Sequence, residues 1–102
     1  MGKERPKRLG QKLAAIRKAL DLSQNEMVRR LGVPDKLIRE EISAYERDVR
    51  QPSLATLLRY AKVAGVWMDV LVDDDLDLPQ NLPSPIKSEG IKRRPTSRIK
   101  RR

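Results

Sequence analysis

Apolar residues recur at helical spacing along the first two-thirds of the chain. Leu9, Leu13, Ile16 and Leu20 step by 4, 3 and 4 residues, which puts them on one face of an amphipathic helix. Lys12, Arg17 and Lys18 then fall on its other face. After a short link, Ser23-Gln24-Asn25-Glu26 reads as a capping box: the Ser23 hydroxyl accepts from the Glu26 amide and the Glu26 carboxylate reaches back. Met27, Val28 and Leu31 follow at helical spacing, and Gly32 supplies the left-handed residue on which helices commonly end.

Val33-Pro34-Asp35 breaks this pattern, because proline cannot continue a helix but can begin one. From Lys36 to about Arg47 the spacing is helical again, with Leu37, Ile38, Ile42 and Tyr45 apolar. Ser53 is a good N-cap for a fourth helix, in which Leu54, Leu57, Leu58, Ala61 and Ala64 are expected to face inward until Gly65 ends it. Val66 to Val72 is expected to form a short fifth helix. Beyond it stand the acidic knot Asp73, Asp74, Asp75 and Asp77, then Pro79, Pro83 and Pro85, then a basic run. With few apolar side chains and high charge, this stretch is expected to be disordered or extended. The expected division is a basic arm (1–8), an all-α domain of five helices (9–72), and an acidic then proline-rich and basic tail (73–102).

Composition narrows the class. A chain of 102 residues with 38% hydrophobic and 3% aromatic side chains can bury one small core. The aliphatic packing this requires favours a helical bundle over a sandwich or barrel. There is no cysteine and no histidine, so disulfides, thiolate metal sites and the usual general base near neutral pH are absent. Catalysis, a cofactor and a metal site are therefore not expected. No apolar run approaches a membrane span of about 18 residues, and the basic N-terminus has no apolar stretch behind it to form a secretory signal. An intracellular location, cytoplasmic and associated with the nucleoid, is expected.

The net charge of +9 raises nucleic acid as a partner. It is unevenly placed. Residues 1–8 carry +3 and residues 87–102 carry +7, while residues 9–86 carry −1. The basicity sits in two arms around a nearly neutral middle, so charge bears on affinity and salt response more than on specificity.

Several words of the sequence, taken in order, carry a resemblance. They are Leu13-Ala14-Ala15-Ile16-Arg17, Leu22-Ser23-Gln24-Asn25-Glu26-Met27, Leu31-Gly32-Val33, Ile42-Ser43-Ala44-Tyr45-Glu46-Arg47, and Gln51-Pro52-Ser53-Leu54-Ala55-Thr56-Leu57-Leu58. Residues 9–72 resemble the phage-repressor, Cro-like (XRE) family of helix-turn-helix domains. The resemblance implies a compact lambda-repressor-like bundle whose third helix, about 36–47, enters the major groove of double-stranded DNA. It implies that Gln24 contacts a phosphate and that Arg17 and Glu46 form an internal ion pair.

Two departures stand out. Nine residues separate Gly32 from Ile42-Ser43, where most members have about five, an excess of roughly one helical turn. Either the recognition helix gains a turn and begins near Asp35, or the link is longer and the helix begins near Ile38. The second departure is Asp48, where many relatives have glycine; a positive φ there is tolerated better by Asp than by most residues.

Anchored on Ile42 and Tyr45, the outer surface of the third helix presents Lys36, Arg39, Glu40, Ser43 and Arg47. Lys36, Arg39, Glu40 and Ser43 are the candidate base contacts: arginine can grip guanine O6 and N7, and a carboxylate is tolerated in the groove where it accepts from a cytosine amino group. Gln24, Arg47 and Arg50 are the candidate phosphate contacts. The same charged side chains could instead form a solvated face. Trp67 is either a cap on the core or, with Val70, part of a homodimer patch, since tryptophan is enriched at interface centres. The expected function is a sequence-specific DNA-binding transcriptional regulator, a repressor. The alternative is an antitoxin-like interaction module, with the tail holding a protein partner.

Overall fold

The computed structural model describes residues 6–32 and 37–83. These residues form five helices and no strand: α1 (Leu9–Ala19), α2 (Gln24–Leu31), α3 (Arg39–Glu46), α4 (Leu54–Ala64) and α5 (Met68–Val72). α3 packs against α1 and α2, α4 against α2 and α5, and α5 closes onto α1. The all-α bundle expected from the spacing is the one observed.

Local signals explain most of the boundaries. The Ser23 hydroxyl accepts from the Glu26 amide at 3.0 Å and the Glu26 carboxylate accepts from the Ser23 amide at 2.7 Å, completing the capping box. Gly32 ends α2 at φ 60°, in the left-handed region that glycine enters without steric cost. Ser53 caps α4 by accepting from the Thr56 amide. After α4, the Gly65 amide donates to the Lys62 carbonyl and the Val66 amide to the Ala61 carbonyl, the pairing of a Schellman motif.

Three expectations are corrected. The third helix spans Arg39–Glu46, shorter than 36–47 at both ends. Ile38 is extended (φ −122°, ψ 164°), and its amide donates to the Glu41 carboxylate at 3.2 Å, which fixes the helix start. Leu37 and Ile38 are both outside the helix, and Leu37 is half-buried against the core. Of the two ways to place the extra residues, the helix therefore starts late. Lys36 lies outside the described residues.

The inward face of α4 is also rotated. Thr56, Leu57, Tyr60, Ala61 and Ala64 are buried, whereas Leu54 is 75% exposed and Leu58 44%. The fully buried ring of Tyr60 takes the place expected for those leucines.

The third correction concerns the segment after Val72. Leu76 is fully buried, and Leu78 and Leu82 pack against the core. Its acidic residues hold the root of the N-terminal arm. The Lys7 and Arg8 amides donate to the Asp74 carboxylate at 2.9 and 3.0 Å, and the Arg8 guanidinium donates to Asp77 at 2.7 Å. Lys12, expected on the outer face of α1, is buried and donates to the Val70 and Asp73 carbonyls at 2.7 and 2.9 Å, capping the end of α5. Burial pushes its pKa down. The folded unit thus runs past residue 72, and only the part of the expected disordered tail beyond residue 83 falls outside the described residues.

Candidate nucleic-acid interface

α3 is seated by its inner face. Ile42 and Tyr45 are buried in the core. Gly10 lets α1 come close: a Cβ there would lie 2.8 Å from the Tyr45 carbonyl oxygen and 3.0 Å from that of Glu46. The end of α3 therefore rests directly on the α1 backbone. The turn that follows has Asp48 at φ 60°, the left-handed conformation expected where relatives carry glycine. Amides of Val49 and Arg50 donate back to the Ala44 carbonyl and close this turn.

An ion pair locks the same junction. Arg17 Nε donates to Glu46 Oε2 at 2.7 Å and Nη2 to Oε1 at 3.1 Å. Arg17 Nη1 also donates to the Leu22 carbonyl ahead of α2. The carboxylate bonds hold the guanidinium pKa above its ordinary value. Gln24, the first residue of α2, joins this network by donating from Nε2 to Glu46 Oε1 at 3.2 Å. The network ties α1, the start of α2 and the end of α3 together, so the geometry of the helix-turn-helix pair is set by side chains as well as by apolar packing.

The outer surface of α3 is polar. Arg39 and Glu40 are exposed and lie 3.3 Å apart. Arg47 Nε donates to the half-buried Ser43 hydroxyl at 3.2 Å. Arg50 is exposed in the loop after α3. The structure thus gathers Arg39, Glu40, Ser43 and Arg47 on or beside one short helix, with Gln24 at the adjacent end of α2. The positive end of α2's dipole, with its outward amides, favours an anion beside Gln24.

Val70 does not belong to any surface patch, because it is fully buried in the core. It therefore forms no surface patch with Trp67, contrary to the expectation. Trp67 itself is 46% exposed at the N-cap of α5. Sequence reasoning also missed the role of Gly10 and the burial of Lys12. Lys12 stands at the edge of the apolar stripe, beside Leu13, but its burial depends on the distant Val70 and Asp73 carbonyls. Nothing local in the sequence announced the close approach at Gly10.

Comparison with known proteins agrees with this geometry. A family model described as helix-turn-helix matches residues 13–71. Two relatives are each called antitoxin HigA1, from Mycobacterium tuberculosis strains CDC 1551 / Oshkosh and ATCC 25618 / H37Rv. Each is 39% identical over 70 residues, covering 69% of this chain. The chain spans 44% of the length of those antitoxins. A solved complex of the SinR and SinI proteins contains a chain that superimposes with a TM-score of 0.56 at 27% identity, over 65% of this chain and 61% of that one.

Proposed function

Because this chain belongs to the helix-turn-helix family of the phage-repressor (XRE) type, we propose that it is a sequence-specific double-stranded DNA-binding transcriptional regulator, acting as a repressor in the cytoplasm at the nucleoid. The observation that carries the reading is the junction of α1, α2 and α3 held by Arg17, Glu46 and Gln24, which fixes α3 by its inner face and leaves its polar outer surface presented. α3 enters the major groove. Arg39 donates to guanine, Glu40 accepts from a cytosine amino group, and Ser43 approaches base edges. Lys36, three residues before Arg39 in sequence, joins them. Gln24, Arg47 and Arg50 contact phosphates, and the basic arms add salt-sensitive affinity without reading sequence. The regulator works as a homodimer on paired half-sites, with Trp67 at the subunit contact. It binds without chemistry and without a cofactor.

Selection from a random-duplex pool with the full chain tests this reading. An enriched motif is expected, and Arg39→Ala should relax one base position at a cost of about 1–3 kcal/mol. A pool with no enriched motif at moderate salt overturns it.

A second reading is favoured by the likeness to the HigA1 antitoxins: the same chain also holds a protein partner through its C-terminal tail. Capture of one stoichiometric protein by the full chain, lost when the tail is removed, supports it.

A further inference from the structure

We propose that Ile38 reads the methyl group of a thymine in the major groove. The inference rests on the DNA-reading role proposed for α3 and adds a residue to it.

Ile38 occupies the N-cap of α3, where Ser, Thr, Asp and Asn are preferred because their oxygens accept from the free amides of the first turn. α2 and α4 follow that preference: Ser23 accepts from the Glu26 amide at 3.0 Å and Ser53 from the Thr56 amide at 3.1 Å. Isoleucine has no acceptor and ranks among the weakest caps. Only the reverse half of a capping box is present, the Ile38 amide donating to the Glu41 carboxylate at 3.2 Å.

Nor does packing account for the residue. Ile38 is 53% exposed, while its neighbour Leu37 is half-buried and rests against the core. A branched hydrocarbon thus stands in water at the position where a small polar side chain would stabilise the helix better. It is followed by the charged and exposed Arg39 and Glu40. A single apolar side chain so placed is far smaller than the contiguous patches that mark protein-docking surfaces.

Its location supplies the occupant. Recognition helices touch base edges with their N-terminal residues, and the thymine C5-methyl is the apolar group that the major groove presents. Ile38 brings a matching hydrocarbon surface beside the guanidinium of Arg39, so the start of α3 offers an apolar contact and a donor fork on adjacent residues. The division of labour is between a methyl read by Ile38 and a hydrogen-bonding edge read by Arg39.

Deoxyuridine differs from thymidine in lacking that methyl, so it isolates the contact. In the best duplex selected by the full chain, each thymine is replaced singly by deoxyuridine and affinity is measured for the native protein, Ile38→Ala and Ile38→Ser. One replacement per half-site is expected to weaken native binding about fourfold, the equivalent of burying one carbon at about 0.8 kcal/mol. That penalty should shrink in Ile38→Ala, which keeps one methyl, and vanish in Ile38→Ser. Ile38→Ser also supplies the missing cap, so its Tm should equal or exceed that of the native protein, which separates loss of reading from loss of folding. An undiminished deoxyuridine penalty in the variants, or no thymine whose methyl matters, overturns the assignment while leaving the DNA-reading role intact. Failure of the native chain to enrich any duplex overturns that role, and the assignment with it.

Discussion

Glu46 takes two hydrogen bonds from Arg17, at 2.7 and 3.1 Å, across the junction of α1 with the last turn of α3. The two side chains are only 15% and 8% exposed. Removing either partner strands the other in a partly desolvated site. Arg17→Ala or Glu46→Ala should therefore cost about 3 kcal/mol, the lower end of the range for breaking a buried pair. Denaturant unfolding of the two single variants and the double variant measures it. A double variant no more destabilised than either single one is expected, and a loss under about 1 kcal/mol in the singles, typical of exposed pairs, would contradict the pair's structural role.

Gly10→Ala should destabilise the fold although alanine is the better helix former. The new Cβ would meet the backbone carbonyls of Tyr45 and Glu46 at 2.8 and 3.0 Å, and backbone cannot rotate away as a side chain can. α1 and α3 must separate, at a cost of about 1–3 kcal/mol. Thermal unfolding reports the cost, and an unchanged or raised Tm would contradict the close approach.

Tyr60→Phe should leave stability unchanged or raise it by about 1 kcal/mol, because the hydroxyl is buried without a hydrogen-bond partner among the described residues. Burial pushes this pKa far above the ordinary tyrosine value, so the group stays protonated. A clear fall in Tm would reveal a partner for the hydroxyl.

Acid should loosen the clasp between the N-terminal arm and the segment after α5. Amides of Lys7 and Arg8 hold the Asp74 carboxyl below its ordinary range. The unfolded chain then takes up that proton more readily, so the stabilisation is fully present above about pH 4 and is lost as pH falls through the lowered folded value. Glu26, held low by the Ser23 amide and hydroxyl, acts with the same sign. Asp74→Asn should flatten the acid limb of a Tm profile, and an identical limb in the variant would remove Asp74 from its cause.

The readable features were those written in local chemistry. Ser23, Glu26, Gly32, Ser53 and Gly65 announce helix ends by the hydrogen bonds and dihedral angles they permit, and the ends of α2 and α4 fall where they stand. The Arg17–Glu46 pair came from the family resemblance, since residues so far apart in sequence show no mutual signal. Three features were illegible because they depend on distant chain. The rotation of α4 follows from where Tyr60 finds space. The burial of Lys12 depends on carbonyls of Val70 and Asp73. The packing of Leu76 and Leu78 was hidden by the surrounding acidic residues, whose composition suggested disorder although Arg8 and the amide of Lys7 partner Asp74. The late start of α3 was one of two open choices, settled by the Glu41 carboxylate that ties down Ile38.

Sequence-specific reading by α3 is tested most directly by competition between the selected duplex and a scrambled duplex of equal length, at one moderate salt concentration, for the full chain and for Arg39→Ala. The native chain should prefer the selected duplex by about 10³-fold or more, and Arg39→Ala should lower that preference while leaving affinity for the scrambled duplex nearly unchanged. A native preference near one would contradict sequence-specific reading by α3.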